Sequence, residues 1–270
     1  MNTIKSGKTP VRFLQIHLTE HCNLNCKGCT HFSPVACEGY ISLDSLEETY
    51  VKLKPYLEKW FCRLELLGGE PLLHPNITGI LVLTRKYYKD FEIRLVTNGI
   101  KLLSMTEAFF RVYADHRITI CMSKYPINID YPAIEKKLSD YGILYRYYGE
   151  YETFKTFRQY KLNPHGIYDP DESYKNCKYA GHCFQLRDDC IFPCFISAYA
   201  GHLNKHFGLD FDWEKGDYVS LDANPGNEDF LALATKSVPF CKYCNMEHPT
   251  EFIWDYSKKS IDEWIEEKNE

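Results

Sequence analysis

The sequence predicts an α/β protein with a parallel sheet, and three features of the chain indicate this fold class. Strand-like and helix-like patterns alternate through the first half of the 270-residue chain. Distinctive turns follow several predicted strands, at the strand ends where α/β folds place their active sites. The alternation stops near residue 150 and gives way to a smaller, less regular region. Because parallel strands need helical crossovers, the first half forms either a barrel or an open sheet.

The elements of the first half each have a local signal. Apolar residues alternate with their neighbours in a first strand that runs into Cys22. Ser45 and Glu48 match a capping box for the first helix, and Pro55 is expected to kink or shorten that helix. The later predicted strands are 63–71, 92–99, 117–126 and 143–149, and the later predicted helices are 77–89, 105–115 and 132–141.

The second half carries two further signals. The stretch CFQLRDDCIFPC (183–194) predicts a β-hairpin that turns at Arg187, Asp188 and Asp189. The stretch SIDEWIEE begins with a capping box over 260–263 and predicts a terminal helix.

Composition excludes several function classes. Hydrophobic residues make up 44% and charged residues 26% of the chain, and the net charge is −5 without a basic tract. These values argue against nucleic-acid binding, and no apolar stretch is long enough to span a membrane. The first ten residues lack the apolar core of a signal peptide, so we expect a cytoplasmic protein. Twelve cysteines in such a protein indicate metal or redox chemistry, because a reducing compartment disfavours structural disulfides.

Three of the cysteines, Cys22, Cys26 and Cys29, lie within eight residues directly after the first predicted strand. Three thiolates on one iron–sulfur cluster would leave one iron without a protein ligand, whereas fully ligated clusters normally use four cysteines. An open iron is a place for a substrate or cofactor to bind, as the open position on catalytic zinc is. Structural zinc is the competing interpretation, with His21 or His31 as a fourth ligand.

Two further turns lead to a family resemblance. The stretch LGGEPLLHP, with GGE at 68–70, ends the second predicted strand, and TNG at 97–99 ends the third. With CNLNCKGC at 22–29, these motifs resemble those of the radical S-adenosylmethionine (radical SAM) superfamily, in the same order. Gly28 departs from the bulky residue that many members carry before the third cysteine. The resemblance covers about residues 10–150 and implies a partial (βα)6-type parallel barrel.

The resemblance implies a role for each motif. S-adenosylmethionine would bind the open iron of a four-iron four-sulfur cluster, and a 5′-deoxyadenosyl radical from its reductive cleavage would abstract a hydrogen atom from the substrate. Gly68 and Gly69 would let backbone approach the cofactor, and Glu70 would pair with its ammonium. Asn98 and Ser123 are the predicted ribose contacts. The predicted ligands of this SAM cluster are Cys22, Cys26 and Cys29.

The C-terminal region resembles auxiliary-cluster modules of radical SAM enzymes, called SPASM or, in a shorter form, twitch. Their pattern has two flanking cysteines, a glycine between them and a later CxxC, and Asp189 takes the glycine position here. Twitch fits better, which implies one auxiliary four-iron four-sulfur cluster. Cys183 is a rival ligand, and structural zinc is an alternative metal. The predicted ligands are Cys177, Cys194, Cys241 and Cys244.

The two resemblances divide the chain into two predicted domains. Residues 1–165 would form the radical SAM partial barrel. Residues 166–270 would form a small β-hairpin and helix module that binds the auxiliary cluster.

Cys121 is a further candidate, because it shares a strand face with Ser123 and would point into the barrel lumen. A lumen thiol can give a hydrogen atom to a substrate radical, as an epimerase requires. The alternative is an ordinary buried cysteine that serves as a small apolar side chain.

The twitch resemblance favours an oxidoreductase that dehydrogenates a small molecule such as a sugar, nucleotide sugar or cyclitol. It also implies a flavodoxin- or ferredoxin-type electron donor. Modification of a peptide by epimerisation or cross-linking is a second interpretation, and a non-catalytic metal-binding protein is a third. An anionic group of the substrate has four candidate partners, which the sequence does not rank: Arg94, Lys124, Arg146 and Arg158.

Overall fold

A computed structural model describes residues 12–148, 153 and 155–266 of the chain. The described residues form ten β-strands and nine α-helices, joined by loops and short 3-10 helices. The strands are β1 (Phe13–Thr19), β2 (Arg63–Gly68), β3 (Ile93–Thr97), β4 (Thr119–Met122), β5 (Tyr145–Tyr147), β6 (Thr156–Gln159), β7 (Cys183–Arg187), β8 (Cys190–Phe192), β9 (Val219–Ser220) and β10 (Thr250–Ile253). The helices are α1 (Leu43–Leu53), α2 (Leu57–Trp60), α3 (Ile77–Tyr87), α4 (Glu107–His116), α5 (Tyr131–Asp140), α6 (Pro170–Asn176), α7 (Phe195–Tyr199), α8 (Gly201–Phe207) and α9 (Asn227–Thr235).

Eight strands form one sheet, in the order β5-β4-β3-β2-β1-β7-β8-β9. Strands β1 to β5 and β7 run parallel, whereas β8 and β9 are antiparallel to their neighbours. The predicted α/β class is confirmed, and the open, curved arrangement is consistent with a partial barrel. The sixth parallel strand, β7, lies beside β1 instead of beside β5.

The two faces of the sheet differ in chemistry. On β1 the apolar Leu14, Ile16 and Leu18 belong to the main hydrophobic core, together with Leu46 of α1. Because successive side chains of a strand point to opposite faces, the intervening polar residues of β1 face the other side. That inner face also carries the fully buried Glu65 of β2. Buried polar groups need partners, so the inner face is where binding chemistry is expected.

Helix α1 begins at a different N-cap from the predicted one, but it ends where Pro55 leads us to expect. The N-cap is Ser42 and not Ser45, because the Ser42 hydroxyl accepts a hydrogen bond from the Ser45 amide at 3.1 Å. The helix ends at Leu53, two residues before Pro55, as a proline at that position requires.

The second half contains the predicted hairpin and a second small sheet. Strands β7 and β8 pair antiparallel, and Asp188 and Asp189 form the turn with left-handed φ angles of 50° and 56°. Strand β6 pairs with β10 in a separate two-stranded sheet. The predicted terminal helix is present only as a 3-10 turn at Ile261–Glu263, and residues 267–270 lie outside the described part of the chain. Within the described residues, no helix has the length and apolar character that crossing a bilayer requires.

Candidate functional site

The three motif turns meet at the carboxyl ends of β1, β2 and β3. The Gly69 amide donates to the Thr19 carbonyl at 2.9 Å, and the Glu70 amide donates to the His21 carbonyl at 3.1 Å. The Asn98 side-chain amide donates to the Asn23 side chain at 2.8 Å. Asn23 lies in residues 21–30, which contain Cys22, Cys26 and Cys29 and are called the cysteine loop below. Residues that are distant in sequence are therefore brought together at one edge of the sheet, where α/β folds bind their ligands.

The two glycines of the second motif are required by backbone packing. A Cβ atom at Gly68 would lie 2.2 Å from the Thr19 carbonyl oxygen, and one at Gly69 would lie 2.0 Å from the His21 carbonyl oxygen. Gly68 also has a φ of 150°, which side-chain-bearing residues rarely adopt. The close approach seen here is to the cysteine loop, whereas the sequence interpretation assigned it to the cofactor.

Glu70 is fully buried and links the second and third motifs. Its carboxylate accepts hydrogen bonds from the Thr97 hydroxyl at 2.6 Å, the Asn98 amide at 2.8 Å and the Leu72 amide at 3.0 Å. Burial raises the pKa of Glu70 to about 7, although these three donors act in the opposite direction. A carboxylate has about four acceptor sites, so one remains for a cationic partner that would favour the ionised form.

The three clustered thiols lie close to one another in a partly buried loop, and Cys26 is the buried one of the three. Burial raises the pKa of Cys22 to about 12, and the charges of Glu70 and Cys29 add to this shift. The Leu24 amide points at the Cys22 sulfur at 3.4 Å. Burial likewise raises the pKa of Cys29, while the amides of residues 31–33 lower it by hydrogen bonding to the sulfur. Thiols with raised pKa values ionise readily only beside a positive charge, such as the iron of a cluster. Amide donors that point at the sulfurs also stabilise thiolates, so both features fit the ligation of an iron–sulfur cluster.

The two candidate fourth ligands of a zinc site make other contacts. His31 Nδ1 is 2.8 Å from His17 Nε2, and His21 Nε2 is 3.4 Å from the Tyr40 hydroxyl. Among residues 12–148, 153 and 155–266, no three histidine, cysteine, aspartate or glutamate side chains are arranged to hold a single metal ion.

A cluster of histidines lies beside the cysteine loop, and the sequence interpretation did not find it. The ring of Tyr199 stacks on His17 at 3.6 Å between centroids, and His202 Nε2 contacts the Glu20 carboxylate at 2.7 Å. Burial lowers the pKa of His17 and His31, so both rings are neutral at neutral pH. The cluster joins β1 to helices α7 and α8, which directly follow Cys194.

C-terminal residues cover the cysteine loop. Tyr256 forms a backbone bridge with Cys26, and the Trp264 indole donates to the Cys29 carbonyl at 2.9 Å. Gly28 has a φ of 61°, and a Cβ there would lie 2.8 Å from Phe252 of β10, which explains the glycine before the third cysteine. No local sequence signal reveals these contacts, because the partners are more than two hundred residues away in the chain.

Cys121 lies on the same face of the sheet as Glu65. Cys121 is buried, and burial raises its pKa to about 11. The negative charge of Glu65 also raises the pKa, whereas the charges of nearby arginines lower it. Its register partners are Val96 on β3 and Arg146 on β5. The arginines that face this thiol are Arg63, Arg94 and Arg146. Ser123 continues this face at the strand end, and its amide donates to the Thr97 carbonyl at 3.0 Å.

The structure ranks the four candidate anion-binding residues. Arg94 and Arg146 lie on the inner face, and Arg94 contacts Glu65 at 3.8 Å. Lys124 lies over the ring of Tyr147, and Arg158 pairs with Glu251 at the surface. Arg94 and Arg146 are therefore the two that share the inner face with Cys121.

A second site lies in the C-terminal half, around a small cavity that cysteines line. The cysteines that line it are the four predicted auxiliary ligands, Cys177, Cys194, Cys241 and Cys244. Cys183 does not line this cavity, although it lies near enough to Cys177 and Cys194 for their charges to raise its pKa. It is instead the first residue of β7, where it pairs in register with Phe13.

The second site also supplies amide donors to sulfur. The amides of Tyr179 and Ala180 point at the Cys177 sulfur, each at 3.3 Å. Burial raises the pKa of Cys244, and the charges of the other three thiols raise it further. Such mutual repulsion means that a bound cation or cluster would stabilise all four thiolates together.

Comparisons with known proteins agree with this geometry. A family profile described as "4Fe-4S single cluster domain" matches residues 10–131. Two GTP 3′,8-cyclases, from Campylobacter fetus and Aliarcobacter butzleri, are 28% and 29% identical over 98 and 97 residues, or 36% of this chain. Together with the motif geometry, these matches support membership of the radical SAM superfamily. The profile and the three clustered cysteines fit a four-iron four-sulfur cluster of the kind that binds S-adenosylmethionine.

The extent of these matches differs between relatives. The chain covers only 30% of the length of each of those two cyclases. The crystal structure of BtrN in complex with AdoMet and 2-DOIA has a TM-score of 0.51 and 16% identity, and the match covers 88% of this chain and 94% of BtrN. A crystal structure of Streptococcus suis SuiB has a TM-score of 0.42 and 16% identity, and covers 51% of this chain. The likeness to BtrN therefore extends through both halves of the fold.

Proposed function

We propose that this radical SAM enzyme dehydrogenates a hydroxyl-bearing small molecule, namely a sugar, nucleotide sugar or cyclitol. The observation that supports it best is the cavity lined by Cys177, Cys194, Cys241 and Cys244, at a distance in sequence from the first cysteine group. Oxidation of an alcohol removes two electrons, and a second redox centre gives the second electron a place to go. The fold of BtrN, whose complex contains 2-DOIA, matches over both halves of this chain.

In this proposal the cysteine loop holds the SAM cluster through Cys22, Cys26 and Cys29. When bound, the cluster and S-adenosylmethionine supply a 5′-deoxyadenosyl radical that abstracts a hydrogen atom from the substrate. The remaining acceptor site of Glu70 binds the cofactor ammonium, and the Asn98 and Ser123 side chains bind its ribose. The C-terminal cover over the loop excludes water from the reacting atoms.

The four cysteines of the second cavity hold an auxiliary four-iron four-sulfur cluster in this proposal. Amides aimed at Cys177 stabilise its thiolate form. A flavodoxin- or ferredoxin-type protein would supply the electron that starts each reaction. The proposed division keeps the barrel in residues 1–165 and the auxiliary module in 166–270, with β7 of the second part paired to β1 of the first.

The inner face of the sheet supports a polar substrate. The Gln15 amide donates to Glu65 at 2.8 Å, and the Gln185 amide donates to Gln15 at 2.5 Å. The side-chain amide oxygen of Gln185, Oε1, is buried without a hydrogen-bond partner among the described residues. A ligand rich in hydroxyl groups would satisfy such buried acceptors and reach Arg146 at the edge of the sheet.

The proposal is tested with anaerobically reconstituted protein. We expect about eight iron atoms per chain, the sum of two four-iron clusters. Dithionite with S-adenosylmethionine should yield 5′-deoxyadenosine, and a deuterated substrate should transfer deuterium into it. About four iron atoms with stoichiometric zinc would contradict the auxiliary cluster, and deuterium transfer from peptides alone would contradict the carbohydrate-like substrate.

Peptide modification is the second candidate, because Cys121 is a buried thiol on the inner face where it could give a hydrogen atom to a substrate radical. The two candidates differ in their need for this thiol. Cys121→Ala should leave turnover intact in a dehydrogenase. Loss of turnover with both clusters intact would favour epimerisation.

A further inference from the structure

Trp254 packs against the cysteine loop through a small apolar cluster. Its side chain is only 8% exposed and packs with Leu24 and Cys26, and the rings of Tyr125 and Phe157 border the same cluster. The Trp254 and Tyr125 rings lie 5.9 Å apart between centroids. The residue is held by its backbone, since its amide donates to the Lys155 carbonyl at 2.9 Å.

The indole N–H of Trp254 has no hydrogen-bond acceptor of good geometry among the described residues. A buried donor without an acceptor destabilises the folded protein, so we expect the indole N–H to have an acceptor in the functional state. The side chains of Trp254 and Tyr125 pack beside Cys26; burial raises the pKa of its thiol, and these two residues act in the opposite direction. A thiol is a weak acceptor, whereas a thiolate is a strong one. The two donors are therefore suited to Cys26 in its cluster-bound thiolate form.

We propose that the Trp254 indole and the Tyr125 hydroxyl donate hydrogen bonds to the Cys26 thiolate and raise the reduction potential of the SAM cluster. Hydrogen bonds to cluster sulfurs stabilise the more negatively charged, reduced state, which makes the cluster easier to reduce. The inference rests on the proposed ligation by Cys26 and is independent of the proposed substrate. It gives the C-terminal cover an electronic role in addition to the exclusion of water.

The test compares midpoint potentials of the full-length, reconstituted protein by titration followed with electron paramagnetic resonance. The SAM cluster is identified as the signal that S-adenosylmethionine changes. Trp254→Phe keeps an aromatic ring in place but removes the donor, and its midpoint should be more negative. At the wild-type midpoint, less than half of the variant's SAM cluster should be reduced. Tyr125→Phe should shift the midpoint in the same direction.

Trp60→Phe is the matched control. The Trp60 indole N–H is also buried without a hydrogen-bond partner among the described residues, but its ring stacks on Phe230 at 5.3 Å, outside the apolar cluster of the cysteine loop. Its replacement should leave the midpoint unchanged.

An unchanged midpoint in Trp254→Phe, with full iron content, would overturn the inference. If that variant fails to hold iron, Tyr125→Phe carries the same test, and an unchanged midpoint there would overturn it. Iron content of Cys26→Ala separates the premise from the inference. Loss of about four iron atoms supports ligation by Cys26, whereas full retention overturns both.

Discussion

At the residue scale, Asp189 occupies a turn position where glycine is expected and makes contacts that glycine cannot. Its left-handed φ of 56° fits the hairpin turn, as aspartate tolerates this region better than most residues. Its carboxylate accepts a hydrogen bond from Thr49 and forms an ion pair with Lys52, each at 2.5 Å. Asp189 therefore ties the hairpin of the second half to helix α1 of the first half.

This contact predicts a pH-dependent loss of stability in Asp189→Asn, which keeps the turn geometry. Burial alone would raise the pKa of Asp189, but hydrogen bonds from Lys52 and Thr49 outweigh it and lower the pKa below its usual value. A lowered folded-state pKa stabilises the protein above the unfolded pKa, and this stabilisation is lost as the pH falls below about 4. We expect the variant to lose on the order of 1 kcal/mol at pH 7.

Urea unfolding of both proteins between pH 3 and pH 7 checks the prediction. The difference between wild type and variant should shrink as the pH falls. Asp188→Asn is the matched control, since the neighbouring Asp188 side chain is 88% exposed and should contribute little. Equal stability of wild type and Asp189→Asn at pH 7 would contradict the assignment.

At the element scale, the four cysteines of the second cavity lie in or next to helical segments, whereas Cys183 lies in a strand. Cys177 follows the last residue of α6, Cys194 precedes the first residue of α7, and Cys244 follows the 3-10 turn 239–243. Cys241 lies within that 3-10 turn. Cys183 instead begins β7, inside the sheet. Cys183 is held there by its register with Phe13 of β1.

The element positions predict different results for two single cysteine variants. Cys177→Ala should retain fewer iron atoms than wild type, falling towards about four, because one iron of the auxiliary cluster loses its thiolate ligand. Cys183→Ala should retain about eight. Iron assays on the reconstituted proteins measure both, and circular dichroism checks that each variant is folded. The reverse pattern would make Cys183 the ligand.

At the scale of the whole molecule, the C-terminal segment returns to the first cysteine group. The Lys27 amide donates to the Asp255 carbonyl at 2.9 Å, and the Ser257 amide donates to the Asn25 carbonyl at 2.8 Å. The buried carboxylate of Glu263 accepts from the Lys258 amide at 2.7 Å and from the Gly28 amide at 3.4 Å. The cover over the loop is thus held mainly by backbone groups.

This arrangement predicts that Glu263→Ala weakens the protection of the SAM cluster. Removal of the carboxylate leaves the buried Gly28 amide without its acceptor, which costs about 1–3 kcal/mol when no water replaces the carboxylate, and it also frees the partly buried Lys258 amide. The variant should release iron to a chelator faster than wild type and unfold at a lower urea concentration. Glu247→Ala, at an exposed position in the same segment, should behave like wild type. Equal iron release by all three proteins would argue against a protective cover.

Much of the first half was predictable because its signals are local. The alternation of apolar residues in β1 and the order of the motif turns follow from neighbouring residues, and the parallel sheet followed from them. The hairpin at Asp188 and Asp189 was predictable for the same reason. The prediction of a terminal helix was wrong, because Glu263 and Trp264 bind the cysteine loop instead of continuing a helix.

The sequence by itself determined the parallel α/β fold, the motif order and the three-cysteine loop, because each depends on residues close together in the chain. Only the tertiary structure decided which thiols share the second cavity, that β7 lies beside β1, and that Trp254 reaches Cys26. These depend on contacts between distant segments, whose positions are set by the packing of the whole sheet and not by any local pattern.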